Sequence, residues 1–104
     1  MASHPRPLAL GLLHLAPRTP PAARTTARVD IALRANRNGY ALVETFEFGT
    51  STLMDDLQLR DVEELAERLD VHALVTAGPV DHERVAKIAD RLRLVIVPCV
   101  DPDT

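Results

Sequence analysis

The chain has 104 residues and a net charge of −3, which fits one domain whose core can form without disulfides or metal. Its 46% hydrophobic and 26% charged residues are ordinary for a globular protein. The scarcity of aromatic residues, 3% of the chain, argues against a surface that binds single-stranded nucleic acid by stacking bases. Residues 1–38 hold six arginines and one acid, whereas residues 39–104 hold six basic residues and fourteen acids.

The single cysteine, Cys99, excludes an internal disulfide and fits a reducing, cytoplasmic location. It ends an apolar run, so we expect a buried side chain rather than a catalytic thiolate. The N-terminal region resembles a secretion signal only poorly, because His14 interrupts its apolar run and prolines follow. No run is long enough to cross a membrane.

Residues 1–7 contain two prolines and predict a flexible terminus. Residues 8–15 are apolar on both faces and predict a strand that is buried on both sides. After a proline-rich loop, a helix is predicted from about residues 21–25 to Asn38, and Gly39 is expected to end it. Val29, Ala32 and Leu33 share one face of this helix and are expected to pack on the sheet.

A second strand is predicted over 40–48 and a loop follows it. The second helix is predicted over 56–69, the third strand over 71–78, the third helix over 78–92 and the fourth strand over 94–99. The residues expected to face the core from the last two helices are Val62, Leu65, Ala66, Leu69, Val85, Ile88, Ala89 and Leu92.

The order β-α-β-α-β-α-β predicts one three-layer α/β domain over residues 8–104, with a four-stranded parallel sheet of order 2-1-3-4 as in flavodoxin. In such sheets the functional crevice lies beyond the carboxyl ends of the strands. The segments expected at that edge are 16–18, 48–52, 77–82 and 98–100.

Several site types are excluded or disfavoured. The first loop, "APRTPPA", has no glycine, which excludes a P-loop and a dinucleotide-binding turn. His14, His72 and His82 are too scattered to predict a metal site, and no cofactor is expected. Ser51 lies in the loop after the second strand, where a serine more often stabilises a turn than attacks a substrate.

The layout resembles the catalytic domain of the serine recombinases, the resolvase/invertase family. "GLLHLA", residues 11–16, occupies the register of the family's "GYxRVS" strand. "NGYALVETFEF" matches its second strand and 48–52 its "DGxSG" loop. "DVHALVT" matches a strand like "DALVV", and residues 80–84 match the "LDRLxR" segment. The resemblance covers residues 8–104, although no motif is intact.

The departures fall on the residues that carry the family's reaction. Ala16 stands where the resemblance implies the nucleophilic serine, and His14 where it implies a phosphate-binding arginine. In the later segment, which includes Asp81, His82 occupies one position of the family's arginine pair, and Arg84 matches the other only with a one-residue shift. With 104 residues, we also expect the chain to lack the family's dimerisation helix and DNA-binding domain. The resemblance therefore implies a degenerate site and no enzymatic activity.

Three functions are consistent with these residues. The first is a non-catalytic, resolvase-like module that binds a protein partner or a second copy, with Leu53 and Met54 adding to the contact surface. The second is DNA association through the basic helix, whose candidate phosphate contacts are Arg24, Arg28, Arg34 and Arg37. The third is a small flavodoxin-like ligand-binding domain or enzyme with a pocket between Pro17, Ser51, Gly78 and His82, in which His14 acts as acid or base.

Overall fold

The computed structural model describes residues 6–16, 18–48, 56–78 and 82–99, in which strands and helices alternate along the chain. The strands are β1 (Leu8–His14), β2 (Ala41–Phe48), β3 (Ala73–Ala77) and β4 (Val95–Pro98), and the helices are α1 (Pro21–Arg37), α2 (Asp56–Leu69) and α3 (His82–Leu92). Every predicted element is present. The largest difference is at α3, which begins four residues later than predicted.

The four strands form one parallel sheet in the order β2-β1-β3-β4, as predicted. The first strand lies in the middle of the sheet and pairs with both β2 and β3. Its five inner residues are fully buried, which explains why its sequence is apolar on both faces. A β-bulge in the pairing with β2 lies between Ala9 and Leu10.

Two hydrophobic clusters lie on opposite faces of the sheet, so the domain has three layers. The first cluster joins the sheet to α2 and α3 through Leu59, Val62, Ala66, Val85 and Ile88. The predicted inward residues of these two helices are confirmed, with Leu65, Leu69 and Leu92 partly buried at its margin and Ala89 buried. Among the described helices, the second cluster joins the sheet to α1 alone.

The predicted inward face of α1 was wrong. Ile31 and Ala35 are the buried residues of this helix, whereas Val29 and Leu33 are 49% and 47% exposed and Ala32 is also exposed. The helix carries two apolar pairs, each spaced by four residues, on nearly opposite sides. Ile31 packs over Gly11, where no side chain stands between helix and strand, and this contact selects the side that faces the sheet.

Glycines terminate one helix and permit one close backbone contact. Gly39 follows α1 with φ +84°, and the Tyr40 amide donates to the Ala35 carbonyl, as predicted for a left-handed helix end. Gly78 follows β3 with φ +80°, and a Cβ atom at this position would lie 2.3 Å from the carbonyl oxygen of His14. The backbone after β3 therefore packs directly on the end of β1.

We expect Gly78→Ala to destabilise the domain more than Gly39→Ala. Both glycines have positive φ, so each alanine costs about 1–2 kcal/mol of backbone strain. Only Gly78 faces a nearby backbone oxygen, since nothing lies within 4 Å of a Cβ at Gly39, and overpacking adds roughly 1–3 kcal/mol. Urea unfolding of both variants measures the difference. Equal losses of stability would contradict the close packing of Gly78 on β1.

Candidate functional site

A cleft of about 230 Å³ opens beyond the carboxyl ends of β1 and β2, beside the beginning of α1. Its lining residues are Leu15, Ala16, Arg18, Thr19, Arg24, Glu47 and Phe48. Ala16 is exposed, so its methyl group stands at the mouth of the cleft. The cleft lies at the sheet edge where the α/β fold predicts a functional site.

Local backbone contacts shape the loop that forms one wall of this cleft. The Thr19 hydroxyl donates to the carbonyl oxygen of Ala16 at 2.6 Å, which closes a turn after β1. Arg18 adopts φ +63°, a left-handed conformation that a non-glycine residue seldom takes. The turn therefore brings Arg18 and Thr19 into the cleft wall, although neither residue belongs to a motif that the sequence reveals.

Glu47 pairs with two arginines of α1 at the side of the cleft. One carboxylate oxygen lies 3.4 Å from Nε of Arg24, and the other contacts Nη1 of Arg28. The Glu47 side chain is 29% exposed, whereas the two arginines are about half exposed. Exposed ion pairs of this kind contribute only about 0–1 kcal/mol each. Their larger effect is on charge, because one carboxylate offsets half of the charge of two predicted DNA-contacting residues.

The other two predicted DNA-contacting residues have different surroundings. Arg34 lies close enough to Cys99 to lower the pKa of its thiol, and that thiol donates to the Asp30 carbonyl oxygen at 3.9 Å. Arg37 is exposed in the last turn of α1. The four arginines therefore do not form one continuous basic surface: two face β2, one faces β4 and one lies at the helix end.

Burial raises the pKa of the Cys99 thiol above its ordinary value of 9.0, and Arg34 partly opposes this shift by hydrogen bonding and by its charge. The side chain is half-buried beside the second hydrophobic cluster. A raised pKa keeps the thiol protonated near neutral pH, and the protonated thiol is a poor nucleophile. The side chain is less buried than predicted, and a structural role for Cys99 stays a prediction.

The predicted degenerate site residues are only partly brought together. His14 ends β1, and its Nδ1 atom is buried; Ala16 lies two residues further on, in the cleft. Arg84 instead lines a groove of about 420 Å³ between α2 and α3, with Leu59, Arg60, Glu63, Lys87 and Ile88. That groove lies on the opposite face of the sheet from the arginines of α1.

The remaining predicted positions lie outside the described residues. These are Pro17, Ser51, Leu53, Met54 and Asp81. His82 is the first residue of α3, but its side chain is not among those described. Across the described residues, no three His, Cys, Asp or Glu side chains group closely enough to hold a metal ion. No helix in the described ranges is both long and apolar enough to cross a bilayer.

Glu47, like Thr19, lines the cleft but was not among the predicted site residues. The alternation of β2 placed Thr45 and Glu47 on one face of the strand, and the right-handed crossover through α1 brings the helix onto a face of the β1–β2 pair. An acid near the end of that strand was the available signal, since α1 begins at the same edge and carries arginines in its first two turns.

Comparison with protein-family models and with curated proteins gave no match.

We expect Glu47→Gln to increase binding to duplex DNA if α1 contacts phosphates at all. The substitution releases Arg24 and Arg28, and each added phosphate contact steepens the salt dependence by roughly 0.9 log units of affinity per log unit of salt. Fluorescence anisotropy of a labelled duplex at several salt concentrations measures both effects. Glu44→Gln is the matched control, because Glu44 is an exposed acid of the same strand. Equal effects of the two variants would contradict a specific release of the arginines.

We expect Arg34→Met to slow the reaction of Cys99 with a disulfide reagent at a given pH and to move the rate profile to higher pH. The substitution removes the hydrogen bond and the charge that lower the thiol pKa and leaves the opposing burial. Arg37→Met is the control in the same helix, and urea-unfolded samples should react alike. The same pKa shift also affects stability. The thiol pKa is higher in the folded than in the unfolded protein, so the contribution of the protonated thiol to the free energy of unfolding is complete below the unfolded pKa. It is lost as pH rises through the folded pKa. Faster reaction of Cys99 in Arg34→Met than in the wild type would contradict the role of Arg34 in lowering the thiol pKa.

Proposed function

We propose that this protein is a non-catalytic domain of serine-recombinase type that acts by binding, as an interaction or regulatory module. The observation that carries the proposal is the exposed Ala16 at the carboxyl end of β1. The resemblance places the nucleophilic serine at this position, and a methyl group cannot attack a phosphodiester. The proposal explains why a buried central strand ends at an unreactive residue beside a cleft.

The groups around Ala16 are arranged for binding rather than for reaction. Thr19 carries a hydroxyl in the described lining of the cleft, but this hydroxyl donates to the Ala16 carbonyl. Arg24 is held by Glu47, so its charge is partly compensated. Phosphoryl transfer depends on a nucleophile and on positioned, uncompensated cations. The described lining offers no hydroxyl or thiol placed as a nucleophile, and Arg18 is its one cation that Glu47 does not compensate, which favours a retained fold over a retained reaction.

A protein partner fits the exposed surface better than DNA does. The α1 side of the sheet exposes Val29, Leu33 and Val95, each about half accessible to solvent. Val29 and Leu33 are adjacent on the helix, and neighbouring exposed apolar side chains favour a protein contact more than isolated ones do. Two arginines of the same helix are engaged by Glu47, which weakens the alternative of DNA binding through α1.

We expect Ala16→Ser not to cleave DNA. The position is exposed, so the hydroxyl is tolerated, but His14 stands where the resemblance implies a phosphate-binding arginine. Wild type, Ala16→Ser and the double variant Ala16→Ser/His14→Arg are incubated with supercoiled plasmid, and denaturing gels are used to detect nicks and covalent protein–DNA adducts. Circular dichroism checks that each variant is folded. A nick or adduct formed by wild type or Ala16→Ser would overturn the proposal that the site is inactive.

A further inference from the structure

The α1 face of the sheet is covered less completely than the opposite face. Helices pack about 8–10 Å apart and strands about 4.8 Å apart, so one helix covers about two strands. Among the described elements, α2 and α3 cover one face and α1 alone covers the other. The amino end of β4 is left open on this side. Val95 is 53% exposed there and Val97 is partly buried; these two residues form the open patch.

The outer surface of α1 carries a second exposed apolar set on the same side of the molecule. Val29 and Leu33 are four residues apart and therefore adjacent on one side of the helix. They point away from Ile31, which packs on the sheet. We name this pair the outer stripe. The outer stripe therefore lies on the outer surface of α1, and the open patch lies beside α1 on the sheet.

The free edge of β4 does not offer an alternative route to association. The amides of Val95 and Cys99 donate to the carbonyl oxygens of His72, just before β3, and Thr76, so the alternate residues Ile96 and Pro98 point their backbone outward. Proline has no N–H group, and within β4 only Ile96 presents a donor at the edge. A short edge strand with an outward proline resists pairing with another strand. A partner on the β4 side therefore contacts the face of the sheet rather than this edge.

We propose that a second copy of this chain covers the α1 face through a two-fold symmetric contact. In this dimer each α1 lies beside the other in antiparallel orientation, between the two sheets. Its inner side packs on its own sheet through Ile31, and its outer stripe packs on the open patch of the partner. One contact then covers both apolar sets, and the two-fold axis makes the contact reciprocal.

In this dimer the flank of α1 that faces β4 is self-complementary, because it carries one acidic and one basic residue. Arg34 and the backbone of Asp30 lie at Cys99, which identifies the flank of α1 that faces the open patch. The two residues have opposite charges and are four positions apart. When two copies of this flank meet in antiparallel orientation, each Asp30 faces the partner's Arg34. Like charges meet only when the register is shifted, so the charge pattern favours one register.

The area of the contact favours a dimer in which each α1 packs on the partner's open patch over a dimer in which only the two helices touch. α1 has 17 residues and is therefore about 25 Å long, with a diameter of about 10 Å. Its outer surface alone covers far less than the roughly 800 Å² per partner of a stable interface. Adding the open patch and the flanking side of the helix brings the contact toward that size.

The first experiment measures the mass of the wild-type protein in solution by sedimentation velocity over a wide concentration range. We expect a concentration-dependent dimer. Leu33→Glu should raise the dissociation constant by about 30-fold or more, the effect of losing a central apolar anchor. Ala86→Glu adds the same charge at an exposed position of α3, on the opposite face, and should leave the dimer intact. A dimer unaffected by Leu33→Glu would overturn the assignment to this face.

The second experiment tests the partner and the antiparallel register. Asp30→Arg and Arg34→Asp should each weaken self-association, because each variant places like charges opposite one another. A mixture of the two variants should form a heterodimer, since both interface pairs are then complementary. Differential labelling and native mass spectrometry distinguish the heterodimer from the homodimers. Association of each variant alone, with no preference for the mixture, would overturn the register.

This inference rests on the proposed function, because it names the partner of the proposed interaction module. The two fail separately. A wild-type protein that stays monomeric at every concentration overturns the dimer and leaves the unreactive cleft at Ala16 as the basis of the proposed function. DNA cleavage by the wild type overturns the proposed function whatever the oligomeric state.

Discussion

The contact between Ile31 and Gly11 determines how α1 lies on the sheet. A Cβ atom at Gly11 would lie 2.8 Å from a methyl group of Ile31 and 2.7 Å from the Thr45 hydroxyl, so helix and strand approach closely only because the side chain is absent. This contact fixes the rotation of α1 about its own axis. The same rotation turns Arg24 and Arg28 toward β2 and turns the outer stripe toward solvent. The surfaces available for binding therefore follow from one glycine in a buried strand.

The sequence was sufficient to predict the sheet, because the strands and the helices α2 and α3 have apolar patterns that are satisfied in only one way. The five buried residues of β1 indicated a central strand, and the single apolar side of α2 and of α3 indicated which side faces the core. The rotation of α1 could not be predicted in the same way. Its two apolar pairs, Ile31 with Ala35 and Val29 with Leu33, are nearly equivalent as periodic patterns. The choice between the two pairs depends on the missing side chain at Gly11, which lets Ile31 approach the sheet. This tertiary contact cannot be predicted from the periodicity of α1 alone.

The candidate site was predictable in position but not in composition. Alternating strands and helices place a cleft beyond the carboxyl ends of the strands, and the structure has one at Ala16. Glu47 lines this cleft but was not predicted, because its ion pairs with α1 depend on how that helix packs across β2 and not on a sequence motif. Arg84 was grouped with His14 and Ala16 by alignment to a motif, yet it lines the groove between α2 and α3. A motif match orders residues along the chain, whereas a site requires side chains to converge from different elements.

The two readings of α1, as a DNA-binding helix and as a dimer contact, are mutually exclusive on this structure. A helix enclosed between two sheets cannot also present its arginines to a duplex along its length, and Glu47 already holds two of them beside β2. In the proposed dimer, the antiparallel arrangement of α1 places the two clefts at opposite ends of the assembly, because each cleft lies at the beginning of α1. Each α2–α3 groove stays accessible, since it lies on the face of the sheet opposite to the shared one. The proposed dimer is then a unit that presents two identical surfaces at a distance fixed by its symmetry.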